Sequence, residues 1–80
     1  MLEYKMDKIL DLHGNTEQEA YLRMLDFFSD LPKDCKQVTI VHGFRGGQVL
    51  KNMVADFKHE RIWSKQPSIL NPGETRIWVT

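Results

Sequence analysis

Two short apolar segments of the chain end in the same dipeptide, His-Gly, and this repeat constrains the fold more than any other feature. Residues 9–14 read Ile-Leu-Asp-Leu-His-Gly, and residues 38–43 read Val-Thr-Ile-Val-His-Gly. Side chains alternate between the two faces of a strand, so Asp11 and His13 share one face, opposite the two leucines. If the segments are neighbouring parallel strands, their ends bring His13 and His42 together at one edge of a sheet.

A helical pattern follows each of these strands. Thr16 and Glu19 fit a capping box, in which each side chain bonds to the backbone of the other residue, so a helix is predicted from there to about Asp30. Apolar residues recur at helical spacing in both patterns. They are Ala20, Tyr21, Met24, Leu25, Phe27, Phe28 and Leu31 in the first, and Val49, Leu50, Met53, Val54 and Phe57 in the second. Pro32 marks the end of the first helix, and the second should end near His59.

The remaining strands complete a βαβαββ order. The first two strands are predicted over residues 8–13 and 37–42, and the nearly continuous apolar run of the second is typical of a strand covered on both faces. A third strand over 61–65 and a last one over 75–79 should pair antiparallel across a turn at 71–74. This order predicts a two-layer α/β domain with a mixed sheet of about four strands, two helices and right-handed crossovers.

Length and composition set the class of protein. Eighty residues make one domain, with a polar lead-in over residues 1–7 and the domain over 8–80. The content of 41% apolar and 28% charged residues is that of an ordinary globular protein. With neither a long apolar run nor a signal-peptide core, and with Cys35 as the single cysteine, we expect a cytoplasmic protein without membrane contact or internal disulfide.

The formal net charge of zero conceals an unequal distribution. Residues 1–34 contain four Lys or Arg against eight Asp or Glu, whereas residues 35–80 contain seven against three. The second half therefore offers a mildly basic surface to phosphates. The lack of a large basic excess argues against a strong, sequence-independent grip on nucleic acid.

The glycine-rich loop at residues 43–47 opens the second helix. Helix amino termini bind anions, and glycines let a phosphate approach the backbone. An arginine can donate two parallel hydrogen bonds to phosphate oxygens. The alternative is a flexible turn that needs glycine only for a positive φ. Because a histidine precedes the loop, we favour phosphate binding, and the predicted binding residues are Gly43, Arg45, Gly46, Gly47 and Lys51.

Asp11, His13 and His42 are candidates for proton transfer. Imidazoles titrate near neutrality, and sites in open α/β sheets gather at the carboxyl ends of strands. We expect the two histidine side chains to lie within about 10 Å of each other. The alternative is a partly buried histidine that only satisfies a carbonyl or carboxylate. A metal site is less favoured, because the sequence has no tight His-x-x-x-His pair, although a divalent cation stays open.

Four other residues are expected to have structural roles. His59 should be a solvated residue at the end of the second helix, and Cys35 lies in a polar loop without a nucleophile pattern. Trp63 and Trp78 should pack across the last two strands in the core, with base stacking as a secondary role.

These motifs, in this order, resemble the small MutS-related (Smr) domain family over roughly residues 7–80. One hallmark of that family is a strand ending in Leu-Asp-x-His-Gly before a capped helix with Glu-Ala near its start, as at residues 10–14 and 16–20. The other is Ile/Val-His-Gly, a glycine-rich loop and Leu-Arg or Leu-Lys, as in residues 41–51.

The resemblance implies a fold like the C-terminal domain of bacterial translation initiation factor 3, nucleic-acid binding and, in many members, endonuclease or nicking activity. The Asp-x-His motif of the family is tied to cleavage, which corresponds to Asp11 and His13. The glycine loop is tied to substrate binding, which corresponds to Gly43, Gly46 and Gly47. The family often carries Lys-Gly-Thr-Gly there, whereas residues 44–47 of this chain are Phe-Arg-Gly-Gly in a loop of different length.

The sequence therefore predicts an Smr-type endonuclease acting on RNA or DNA. Asp11 orients an imidazole, His13 or His42 transfers the proton, and Arg45 and Lys51 hold phosphate charge. One alternative is a non-catalytic module that docks nucleic acid or a ribosomal partner through the same surface. A protein-interaction domain without a nucleic-acid role is the third. A monomer is expected, and the sequence specifies no cofactor, with a divalent metal left open.

Overall fold

The described residues, 8–44 and 48–80 of the computed structural model, form two helices and four strands in the predicted order. The elements are β1 (Lys8–Asp11), α1 (Glu17–Ser29), β2 (Gln37–Val41), α2 (Val49–Asp56), β3 (Ile62–Pro67) and β4 (Glu74–Val79). The sheet order is β1-β2-β4-β3, with β1 and β2 parallel and the other neighbours antiparallel. The predicted α/β fold with a mixed sheet is confirmed, and the lead-in predicted over 1–7 lies outside the described residues.

The core lies between one face of the sheet and the two helices. Alternate strand residues and one stripe of each helix form a single buried cluster. It includes Leu10, Val38, Ile40, Ile77 and Val79 from the sheet, Ala20, Met24 and Phe28 from α1, and Met53 and Val54 from α2. The expectation that β2 is covered on both faces is wrong, because Thr39 and Val41 on its other face are only half-buried. Both helices contribute to the same cluster, so the sheet buries one face, as antiparallel and mixed sheets commonly do.

Helix α1 begins at the predicted cap. The Thr16 hydroxyl accepts from the Glu19 amide at 3.1 Å, and the Glu19 carboxylate accepts from the Thr16 amide at 2.9 Å. This second bond holds the pKa of Glu19 below its usual range. Two otherwise unpaired helix donors are thereby satisfied.

Helix α2 ends three residues before the predicted His59. Phe57 adopts an extended conformation with ψ 135° and turns its buried ring toward the core, where it contacts Phe28 with ring centroids 5.6 Å apart. The Lys65 ammonium, reaching over from β3, donates to the carbonyl oxygens of Ala55 and Phe57. A side chain from another element therefore ends this helix, which periodicity alone does not reveal.

The structure changes the roles expected for the tryptophans, His59 and Cys35. Trp63 lies in an irregularity of the β3–β4 pairing and is 66% exposed, and Trp78 is half-buried on the open face of the sheet, so the expected core packing is wrong. His59 is half-buried rather than solvated, with its ring centroid 5.7 Å from that of Phe28. Cys35 is fully buried, and its thiol donates to the Gln37 carbonyl at 3.5 Å.

Candidate active site at the carboxyl edge of the parallel strands

Asp11, the last residue of β1, and His13 form a hydrogen-bonded pair. The carboxylate Oδ1 of Asp11 accepts from the His13 backbone amide at 3.0 Å and lies 2.6 Å from Nδ1 of the same residue. Since an ionised carboxylate only accepts, the ring donates from Nδ1. These two bonds hold the pKa of Asp11 below its usual range, and the bond from the ring has the larger effect. Both side chains are exposed, whereas Leu10 and Leu12 are buried, which agrees with the predicted alternation of faces.

The other ring nitrogen of His13 belongs to a side chain that is 68% exposed. Within residues 8–44 and 48–80, no group hydrogen bonds to its Nε2. A neutral imidazole that donates from Nδ1 carries its lone pair on Nε2, which is the atom that can take a proton. The arrangement can therefore act as a general base at an open surface.

Arg23 on α1 holds the segment that carries this pair. Its guanidinium nitrogen Nη1 donates to the Asp11 carbonyl at 2.8 Å and to Oδ1 of Asn15 at 2.9 Å. The turn between β1 and α1 is thereby tied to the helix on both sides of His13. The sequence reasoning missed Arg23, since an exposed helical arginine carries no signal that separates it from other charged surface residues.

His42 lies at the same edge of the sheet but faces the core. It is only 4% exposed, its Nδ1 lies 3.0 Å from the Gly43 carbonyl, and its Nε2 lies 2.8 Å from the Thr75 hydroxyl. A carbonyl only accepts, so Nδ1 donates and Nε2 of the neutral ring accepts from Thr75. With both nitrogens engaged, this geometry favours the structural reading of His42, and its catalytic role stays a prediction.

Gly43 and Gly73 bring the last hairpin against the site. The Gly73 carbonyl accepts from the amides of His42 at 2.9 Å and of Gly43 at 3.0 Å. A side chain at Gly73 would lie 3.3 Å from the Gly43 backbone, and one at Gly43 would lie 3.3 Å from Cβ of His13. Gly43 also has φ +86°, a region that favours glycine.

The predicted turn at 71–74 forms, with the Glu74 amide donating to the Asn71 carbonyl at 3.0 Å. Gly73 is needed in this turn for its close approach to Gly43 and not for a positive φ.

A cavity of about 590 Å³ opens beside His13, between the beginnings of the two helices. Both histidines line it, so the predicted convergence of His13 and His42 at one edge holds in the structure. Phe44 and Val49 supply an apolar wall, and both side chains are largely exposed. The remaining lining comes from Gly14, Asn15, Thr16, Glu17, Val41, Gly43 and Leu50.

The predicted phosphate-binding residues are only partly described. Lys51 lies in the first turn of α2, is half-buried, and lines a small recess of about 50 Å³ together with Gly43 and Phe44. Arg45, Gly46 and Gly47 lie outside the described residues. The Gln48 side chain makes no capping bond to α2, so it does not satisfy any of the first amides of that helix.

Residues 8–44 and 48–80 contain neither a candidate metal site nor a candidate membrane span. No group of three or more His, Cys, Asp or Glu side chains there is arranged to hold a metal ion. No helix among those residues has the length and apolar character needed to cross a membrane.

Comparison with known protein families identifies the Smr domain. The family model of the Smr domain matches residues 10–71, which include both His-Gly strand ends, both helices and β3. No curated protein and no solved structure matches the chain.

Proposed function

This chain belongs to the Smr domain family, and on that basis we propose that it binds nucleic acid and cleaves RNA with His13 as the general base. The observation that carries the proposal is the 2.6 Å contact between Asp11 and Nδ1 of His13, which leaves Nε2 open at the surface. DNA has no internal nucleophile, and one carboxylate beside one imidazole activates water only weakly. RNA carries its own 2′-hydroxyl, so a single base is enough to start the reaction.

The proposed reaction is an internal transesterification. His13 Nε2 takes the proton of the 2′-hydroxyl, the 2′-oxygen forms a bond to phosphorus, and the bond from phosphorus to the 5′-oxygen breaks. Water donates a proton to the departing 5′-oxygen, and the imidazolium returns its proton to solvent. The products are a 2′,3′-cyclic phosphate and a 5′-hydroxyl. Asp11 acts as a positioning residue, since it fixes the ring and stabilises the imidazolium.

We assign the phosphate contacts to the loop and the start of α2. Lys51 and Arg45 supply positive charge, and Gly43, Gly46 and Gly47 allow the phosphate to approach backbone amides. His42 is assigned a positioning role, because its ring joins the Gly43 carbonyl to Thr75 on β4. It thereby holds the backbone on which the loop begins.

Cleavage of an unstructured single-stranded RNA, with analysis of the ends formed, tests this function. We expect His13→Ala and Asp11→Ala to lower the cleavage rate by about 10²–10⁴-fold, the usual share of acid–base catalysis, with RNA affinity unchanged within a few-fold. Cleavage should survive a chelator and stop when the nucleotide before the break is 2′-deoxy. Asp34→Ala, which removes an exposed carboxylate from the loop before β2, is the matched control and should cut at the wild-type rate.

Two results contradict this mechanism in different ways. If a chelator abolishes cleavage and the 2′-deoxy substrate is still cut, a metal-bound water is the nucleophile. If the wild-type chain binds RNA, duplex DNA or branched DNA but cuts none of them, the non-catalytic module, docking nucleic acid or a ribosomal partner, is the correct function.

A further inference from the structure

The cavity beside His13 has an apolar wall that the fold does not use. Phe44 is 65% exposed and Val49 is also largely exposed, and neither belongs to the buried core. Both line the cavity that contains His13. Exposed apolar side chains gathered at one concave surface are typical of a binding site rather than of a folding requirement.

The charges of the described residues that line this cavity do not favour a phosphate as its occupant. Among the described residues that line it there is no Lys or Arg, and the carboxylate of Glu17 stands on its rim. An anion there would face that carboxylate without an opposing cation from those residues. A flat, uncharged and largely apolar group with polar edges suits the lining better, and the nucleobase is the part of a nucleotide with that character.

Phe44 stands between this cavity and the recess of Lys51. Gly43 and Phe44 line both spaces, whereas His13 belongs only to the first and Lys51 only to the second. A nucleotide seated at this wall would place its base on the His13 side and its phosphate toward Lys51 and the beginning of α2. The cavity volume of about 590 Å³ lies within the range of pockets that hold molecules of this size.

We propose that this cavity receives one unpaired nucleobase, which stacks on the ring of Phe44 and so brings the ribose 2′-hydroxyl to His13 while the adjoining phosphate lies toward Lys51. The proposal rests on the nucleic-acid binding proposed above and narrows the substrate to single-stranded RNA. In a duplex the same base is stacked within the helix and is not available to the ring. Because any of the four bases can stack on an aromatic ring, the site distinguishes single-stranded from double-stranded RNA more than one sequence from another.

Affinity for two RNA probes tests the proposal. The first is a fluorescein-labelled decamer of alternating A and C, which does not pair with itself, and the second is the same strand annealed to its complement. Phe44→Ala should weaken binding of the single strand by about 5- to 150-fold, the range for loss of one base–aromatic stack, and should leave the duplex affinity unchanged. Phe44→Trp retains an aromatic face and should bind the single strand within about threefold of wild type.

Trp63→Ala is the matched control, because Trp63 is 66% exposed and lies on β3 outside the cavity. It should leave both affinities unchanged. The inference is overturned if Phe44→Ala binds the single strand like wild type, if it weakens the duplex equally, or if Trp63→Ala causes the same loss. If the wild-type chain binds neither probe, the proposed function is overturned as well. If the wild-type chain binds and Phe44→Ala does not change the affinity, only this inference is overturned.

Discussion

At the scale of single residues, the bonds between Asp11 and His13 set both the charge and the orientation of the candidate site. The same oxygen of Asp11 accepts from the ring and from the backbone of His13, and these bonds keep the carboxylate ionised to lower pH than usual. Because the pKa is lower in the folded than in the unfolded chain, the pair stabilises the fold above the unfolded value. That contribution is lost as the pH falls through the folded value.

We predict that His13→Ala raises the pKa of Asp11 without returning it fully to its ordinary value. The substitution removes the ring bond, which is the largest cause of the shift, and keeps the backbone amide that also donates to the carboxylate. Carboxyl carbon chemical shifts followed by NMR against pH measure this directly. Glu19, whose pKa is lowered by the bond from the Thr16 amide at the N-cap of α1, should titrate identically in both proteins. An unchanged Asp11 curve would mean that the ring bond is not formed in solution.

The alternation of side chains along the strands is sufficient to predict that His42 is buried. In the parallel register Leu10 lies beside Ile40, so the next inward positions are Leu12 and His42. Leu12 is fully buried, and His42 is buried on the same face. The shared His-Gly dipeptide suggested equal roles for the two histidines. The alternation along the strands instead places the two histidines on opposite faces of the sheet, because His13 lies on the same face as Asp11.

We predict that Thr75→Val destabilises the fold by about 1–3 kcal/mol, because it leaves the buried Nε2 of His42 without a hydrogen-bond partner. Urea unfolding measures the change. Thr39→Val makes the same chemical change at a half-buried position on the open face of β2 and should cost much less. Equal losses for the two variants would remove the reason for assigning His42 a positioning role.

At the scale of elements, local signals located the helix start and tertiary contacts determined the helix end. The capping box is encoded within four residues, 16–19, and forms as predicted. The end of α2 depends on Phe57 entering the core and on Lys65 reaching the last carbonyl groups from β3. Neither contact is local in the sequence. The same holds for Trp63, whose exposure follows from an irregularity in the β3–β4 register.

We predict that Lys65→Met destabilises the chain by about 0.5–1.5 kcal/mol. Its ammonium makes charge-assisted bonds to the Ala55 and Phe57 carbonyl oxygens, and partial exposure to solvent reduces their contribution. Burial lowers the pKa of this lysine, so part of the gain is offset by desolvation. Lys58→Met, at an exposed position in the adjoining loop, is the control for thermal or urea unfolding. If both variants lose the same stability, the lysine does not stabilise the end of α2.

At the scale of the whole molecule, the element order was predictable and the order of strands across the sheet was not. Alternating helix and strand patterns specify βαβαββ, and the glycine turn predicts that β3 and β4 pair. Which of these two strands lies beside β2 depends on long-range pairing. The structure places β4 there, and this brings Thr75 and Gly73 to His42 and completes the site.

Arg61 connects distant parts of this small molecule. Its guanidinium donates to the carbonyl oxygens of Leu31 at 2.6 Å and Pro32 at 3.0 Å, just after α1, and to that of Thr80 at 2.7 Å, just after β4. An 80-residue domain buries a modest fraction of its surface, so a group that satisfies three backbone acceptors contributes a large share of the net stability. Only a planar fork of donors reaches three acceptors in this way.

We predict that Arg61→Lys lowers the stability by about 1–3 kcal/mol, which for a domain of this size corresponds to roughly 5–20 °C in Tm. The substitution keeps the positive charge and removes the fork, so the loss reports hydrogen-bond geometry rather than electrostatics. Arg76→Lys makes the same change at an exposed position on the open face of β4 and should leave Tm within about 2 °C of wild type. If the two variants have the same Tm, the hydrogen bonds of Arg61 between the end of α1 and the end of β4 add nothing to the stability beyond the effect of the charge.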